Sequence, residues 1–139
     1  MNMETLQQNM SSMKEIQKDF QLSPEEMGLM QMSAFEAVKE VVNNESKHGN
    51  IIGLSLLFSE NRMQNCKHLV DEIVTRSVWH MQKRSSLPLL LKEKIATRTV
   101  HEVIAYIRTQ YKCNSLSKLL RYFSLTQLHA INPRLITNN

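Results

Sequence analysis

The sequence predicts an all-α protein: a multi-helix bundle that ends in a trihelical, helix-turn-helix-like cluster. The 139 residues include only three glycines and three prolines, too few for the frequent turns of a sheet protein. Apolar residues instead recur three and four positions apart, which is the spacing of helices that bury one face. With 42% apolar and 22% charged residues, the composition is that of a folded globular protein.

The first 58 residues divide into three predicted helical segments. Residues 1–20 carry a methionine-rich apolar stripe, typical of an amphipathic helix or arm. Ser23 is suited to cap the second helix and Pro24 to occupy its first position, and we expect that helix to end near Asn44. The stretch from Ile51 to Phe58 is apolar all round, which predicts a fully buried helical segment.

A long helix is predicted from about Glu60 to Lys83. Its apolar face runs from Met63 to Met81 at helical spacing, so the helix is long enough to be the scaffold of the fold. Trp79 falls on the opposite, polar side. Because so large an aromatic ring is seldom left in water, we expect Trp79 to contact another element or a second chain.

A short linker at residues 84–88 separates two predicted parts, residues 1–84 and residues 85–139. We expect four shorter helices in the second part, the first from Pro88 to Ala96. Thr99 and Glu102 have the spacing of a capping box, which predicts that a new helix begins at Thr99. Pro133 ends the last short helix.

The charge is divided unevenly along the chain. Residues 1–60 contain four lysines and nine acidic residues, whereas residues 61–139 contain thirteen lysines and arginines and four acidic residues. A basic surface attracts polyanions, so the second part is expected to meet nucleic acid. The alternative is that the two parts neutralise each other across an interface, within one chain or between two.

No motif points to an enzyme, a cofactor or a metal. The sequence has no glycine-rich phosphate loop and no zinc-protease, serine-hydrolase or paired-carboxylate pattern. Cys66 and Cys113 lack the ligand spacing of a zinc site. The chain has no secretory signal and no apolar run of about 20 residues, so we expect a cytoplasmic protein without a membrane partner, associated with the nucleoid if bacterial.

The segment 99–135 has the outline of a trihelical helix-turn-helix module, a helix followed by a short helix, a turn and a second short helix. Residues 100–107 and 115–126 resemble one helix-turn-helix unit of AraC-type regulators, in which a helix ending in Tyr-Ile precedes Ser/Thr-Leu-x-x-Leu-Ala and Gly-Leu-Ser. Leu120 and Ser124 replace the small Ala and the turn Gly of that pattern. The resemblance implies that three side chains point toward base edges: Gln127, His129 and Asn132.

These observations predict a dimeric DNA-binding transcription regulator that uses its basic C-terminal helices on duplex DNA. His101, Arg108 and Lys112 recur at spacings of seven and four, along a strip beside an apolar stripe. The phosphate contacts are assigned to five basic residues: Arg98, Arg108, Lys112, Lys118 and Arg121.

The alternative function is a non-enzymatic helical adaptor or inhibitor that binds another protein. Its interface would consist of Met10 and Met13 from the N-terminal stripe, together with Trp79. RNA binding is a third candidate, although the basic part has few aromatic residues and some of them are expected in the core.

Overall fold

The computed structural model describes residues 12–59 and 62–111, with side chains up to residue 109. Within these residues the protein is helical without any strand, which confirms the predicted all-α bundle. The elements are α1 (12–19), α2 (Pro24–Lys47), α3 (Ile51–Leu57), a 3-10 turn (Met63–Cys66), α4 (Lys67–Arg84) and α5 (Leu89–Tyr111).

Helix α2 begins where the sequence predicts. The Ser23 hydroxyl accepts a hydrogen bond from the Glu26 backbone N–H at 3.1 Å, and the Glu26 carboxylate accepts one from the Ser23 N–H at 3.0 Å. This is a capping box, which satisfies two backbone donors at the helix start. The helix continues to Lys47, one turn beyond the expected end, because the first backbone break is Gly49, whose φ of 75° is left-handed.

Helix α3 confirms that residues 51–57 are helical, but the prediction of a fully buried segment is wrong. Ile51 and Ile52 are 45% and 77% exposed. Only one face of this short helix, carrying Gly53, Leu54 and Leu57, is buried. A seven-residue helix packed on one side of a bundle leaves its other side in water.

Helix α5 is continuous, so the predicted start of a separate helix at Thr99 is wrong. Thr99 lies in the middle of α5 and is fully buried. Neither glycine nor proline occurs in Leu89–Tyr111, and buried positions recur there without a gap. They are Lys92, Ile95, Ala96, Thr99, Val100, Val103, Ile104, Tyr106 and Ile107. The remaining predicted C-terminal helices lie outside the described residues.

One core is shared by the helices of both predicted parts. Ile16 of α1, Phe35 of α2, Ile73 of α4 and Ile104 of α5 are all buried within the same cluster. The linker predicted at residues 84–88 is present, and it begins with extended backbone at Ser85. Within residues 12–59 and 62–111, no helix combines the length and apolar character needed to cross a membrane.

Candidate nucleic-acid interface

The outer side of α5 carries a row of basic side chains. Lys94, Arg98, His101 and Arg108 follow one another at spacings of four, three and seven residues, which places them on one side of a helix. Lys94 and His101 are exposed, whereas Arg98 and Arg108 are half-buried. Because α5 is not interrupted at Thr99, these four residues form one straight row of about 21 Å, here called the basic ridge.

Lys94 and Arg108 stand at the two ends of the basic ridge. Within the described residues, neither Lys94 nor Arg108 forms an ion pair. The two acidic residues of α5, Glu93 and Glu102, occupy positions on either side of the ridge rather than on it.

His101 has a fixed proton position. Its ring Nδ1–H donates a hydrogen bond to the Thr97 carbonyl oxygen at 2.7 Å, since a carbonyl can only accept. The remaining ring nitrogen, Nε2, is therefore the one that can meet a ligand.

Arg98 is the ridge residue that contacts the N-terminal part of the chain. Its Nη1 donates to the Asp19 carboxylate at 2.6 Å, with side chains that are 39% and 54% exposed. The Arg98 guanidinium carbon also lies 5.6 Å from the centre of the Phe20 ring. The predicted phosphate-binding residue is thus held by an acid and an aromatic ring at the end of α1.

Helices α2 and α4 are joined by ion pairs that run in an antiparallel order. Arg76 contacts Glu40 at 3.1 Å and Glu72 of its own helix at 3.1 Å. Partial burial on its own would lower the pKa of the Arg76 guanidinium, but the hydrogen bonds to these two carboxylates outweigh it and leave the pKa raised. Arg76 therefore remains charged and is engaged within the bundle.

Two further basic side chains of α4 face the acids of α2. Arg84 holds both oxygens of Glu36, at 2.8 and 2.9 Å. His80, which is largely buried, places Nδ1 at 3.1 Å from Glu36 and Nε2 against Glu40. Part of the charge division along the sequence is consequently neutralised inside this chain, as the alternative interpretation of the charges expected.

The predicted partner-interface residues occupy different environments. Trp79 is 51% exposed, and the Lys83 ammonium lies 3.5 Å from the centre of its ring. Met13 is buried in the core through the packing of α1, so it is not available to a partner in the folded chain. Met10 lies outside the described residues.

The other predicted contacts to DNA also lie outside the described residues: Lys112, Lys118, Arg121, Gln127, His129 and Asn132. Sequence reasoning missed that Lys94 belongs to the same row as Arg108. The signal for it was the unbroken spacing of Lys94, Arg98, His101 and Arg108, which becomes visible once α5 is taken as a single helix.

Cys66 is held in its protonated form. The side chain is buried, its thiol donates to the Met63 carbonyl oxygen at 3.1 Å, and burial raises the pKa of the thiol. A protonated thiol is a poor nucleophile and a poor metal ligand. In the part of the chain that the structure describes, no three His, Cys, Asp or Glu side chains gather into a group that could hold a metal.

Among the residues that the structure describes, the geometry therefore offers a row of basic side chains, the basic ridge of α5, and an exposed aromatic side chain, Trp79. A basic row of this kind can bind phosphate groups, whereas neither feature supplies the groups for a covalent reaction. Comparison of the chain with protein-family models, with curated proteins and with solved structures finds no match.

Proposed function

We propose that this protein is a DNA-binding transcription regulator whose basic ridge contacts the phosphate backbone of duplex DNA. The observation that carries the proposal is the unbroken helix α5, which presents Lys94, Arg98, His101 and Arg108 on one outer side. Duplex DNA carries one negative charge per roughly 1.7 Å of its axis, so a straight row that contains Lys94, Arg98 and Arg108 can meet several phosphates at once.

The length of the basic ridge supports the same partner. A row of about 21 Å spans more than half of one helical turn of DNA, which is about 34–36 Å. Phosphate contacts position a protein on DNA without selecting a sequence. In this proposal Lys112, Lys118 and Arg121 extend the phosphate contacts, and Gln127, His129 and Asn132 supply the base contacts of a homodimer.

The experiment measures binding of the full chain to a fluorescently labelled duplex by anisotropy, between about 50 and 500 mM salt. Lys94→Gln combined with Arg108→Gln should weaken binding and reduce the slope of log K against log salt by about 2. Lys67→Gln is the matched control, since Lys67 is an exposed cation on α4 rather than on the basic ridge. Absence of binding by the unmodified chain at the lowest salt would contradict the proposal.

A protein-binding adaptor is the second candidate, and the exposure of Trp79 favours it. A half-exposed indole is the type of side chain that dominates protein interfaces. Trp79→Ala separates the two functions. If the protein acts on DNA, Trp79→Ala leaves duplex binding unchanged. If it acts as an adaptor, Trp79→Ala removes binding to the protein partner, whereas the Lys94 and Arg108 variant retains that binding.

A further inference from the structure

The contact between Asp19 and Arg98 joins the acidic N-terminal part to the basic ridge. Among the described residues, Arg98 is the one member of the ridge that pairs with a carboxylate. Asp19 is the last residue of α1, and Phe20 follows it with its ring 5.6 Å from the Arg98 guanidinium carbon. The end of α1 therefore covers the basic ridge at one position.

We propose that the Asp19 carboxylate occupies the place of a DNA phosphate on Arg98, and that α1 thereby acts as an internal competitor of DNA. This inference rests on the proposed function of the basic ridge. Carboxylate and phosphate oxygens both accept hydrogen bonds from a guanidinium group, so either of them fits the same donors of Arg98. The ligand of this subsite is one phosphodiester group of the duplex backbone.

Three features of the contact make Asp19 replaceable. Both side chains are partly exposed, so water and salt screen their attraction. An acidic residue at the C-terminal end of a helix meets the negative end of the helix dipole, which disfavours Asp19 where it stands. A phosphate of the duplex belongs to an array that Lys94 and Arg108 bind at the same time, whereas Asp19 acts alone.

Phe20 keeps Arg98 in position when the carboxylate leaves. The ring contact with the guanidinium does not involve Asp19, and Phe20 itself packs against the core. Arg98 therefore stays oriented on the outer side of α5. Exchange of one anion for another requires only that the Asp19 side chain turn toward water.

The test compares Asp19→Asn with Glu15→Gln in the full chain, using the same duplex and the anisotropy measurement. Both variants remove one negative charge from α1, but Glu15 is exposed and forms no ion pair with a described residue. Asp19→Asn should bind the duplex about two- to fivefold more tightly than the unmodified chain, the range expected for release of an exposed ion pair. Glu15→Gln should bind as the unmodified chain does.

A second comparison shows whether the gain passes through Arg98. In an Arg98→Gln background, Asp19→Asn should give no further gain in affinity. Circular dichroism checks that each variant is folded, and Asp19→Ala replaces Asp19→Asn if the latter does not fold.

The outcomes distinguish the two proposals. If the unmodified chain fails to bind the duplex at the lowest salt, the proposed function is wrong, and this inference falls with it. If the unmodified chain binds and Asp19→Asn gains no more than Glu15→Gln, the competitor role of Asp19 is wrong while the proposed function stands. A gain that persists in the Arg98→Gln background also overturns the competitor role.

Discussion

Two hydroxyl groups in the core, those of Ser77 and Thr99, are buried without a hydrogen-bond partner among the described residues. Most other helical hydroxyls here donate to the carbonyl four residues earlier, as Ser33 does to Leu29 and Thr97 does to Glu93. A buried polar atom that loses water and gains no partner destabilises the folded state. The core of the bundle therefore contains two sites where an apolar side chain of the same shape fits better.

Thr99→Val should stabilise the protein. The change replaces the unpartnered hydroxyl by a methyl group of similar size, so we expect the free energy of unfolding to rise by about 1 kcal/mol. Urea denaturation followed by circular dichroism measures it. Thr97→Val is the matched control: Thr97 is exposed and its hydroxyl is bonded, so its replacement should give no gain. An equal gain from both variants would show that the buried hydroxyl is not the cause.

The role of single residues was predictable where the signal is local. The capping of α2 by Ser23 and the polar position of Trp79 follow from neighbours in sequence, and the structure has both. Thr99 shows the limit of that reasoning. Its spacing to Glu102 suits a helix start, but burial of an uninterrupted apolar face stabilises the continuous helix more than a local cap stabilises a new one.

At the scale of one element, helix α3 depends on a cap formed by Asn50. Its Oδ1 accepts from the Gly53 N–H at 3.1 Å, while its Nδ2 donates to the Glu45 carboxylate at 2.6 Å. A Cβ atom at Gly53 would lie 2.5 Å from the Asn50 Nδ2, which is too close. A larger residue at position 53 therefore displaces the side chain that caps this helix.

Two glycine substitutions should have opposite effects for this reason. Gly53→Ala displaces the cap at a cost of about 1–2 kcal/mol, and because the helix propensity of alanine returns about 0.5–1 kcal/mol, we expect a net destabilisation of under about 1 kcal/mol. Gly28→Ala adds a methyl group to α2 with no atom within 4 Å, and it should stabilise by about 0.5–1 kcal/mol, because alanine favours a helix over glycine. Thermal unfolding measures both; stabilisation by Gly53→Ala would contradict the role of Asn50.

The helices themselves were largely predictable from cap residues and apolar patterns, although α4 begins at Lys67, after a 3-10 turn, rather than near Glu60. Which sides of these helices are buried was not predictable. Whether the apolar residues of α3 are buried depends on how many neighbours the bundle gives that helix, and Ile52 shows that one side has none. The sequence of a short apolar segment carries no information about which of its sides meets a partner.

At the scale of the whole molecule, α5 belongs to the same core as α2 and α4. Its buried residues pack with those of the helices before the linker, although the charge pattern suggests two parts. Because α4 and α5 share one core, unfolding of either helix alone would expose the apolar surface that the other helix buries.

We therefore expect α4 and α5 to unfold together. Native-state hydrogen exchange, measured by NMR, should give the amides of Ile73 and Ile104 the same free energy of opening, equal to that of global unfolding. The exposed end of α3, at Ile52, serves as the control and should exchange at lower free energy. If the Ile104 amide opened at a clearly lower free energy than the Ile73 amide, the residues after 84 would instead form a separate folding unit.

The division of charge along the chain was predictable, but the ion pairs that its residues form were not. Counting residues shows where acids and bases lie along the chain, whereas the pairs connect residues far apart: 36 positions for Arg76 with Glu40, 48 for Arg84 with Glu36. Such pairs depend on tertiary packing, which no local pattern encodes. Among the described residues, the charge count indicated the basic excess but not that Arg76, Arg84 and Arg98 pair with carboxylates.

Trp79 has a practical consequence, because it is the single tryptophan of the chain. All indole emission comes from one side chain, placed on α4 beside Lys83. The protein thus contains its own unlabelled optical reporter. A change in its emission when a partner is added would report contact at the exposed side of α4.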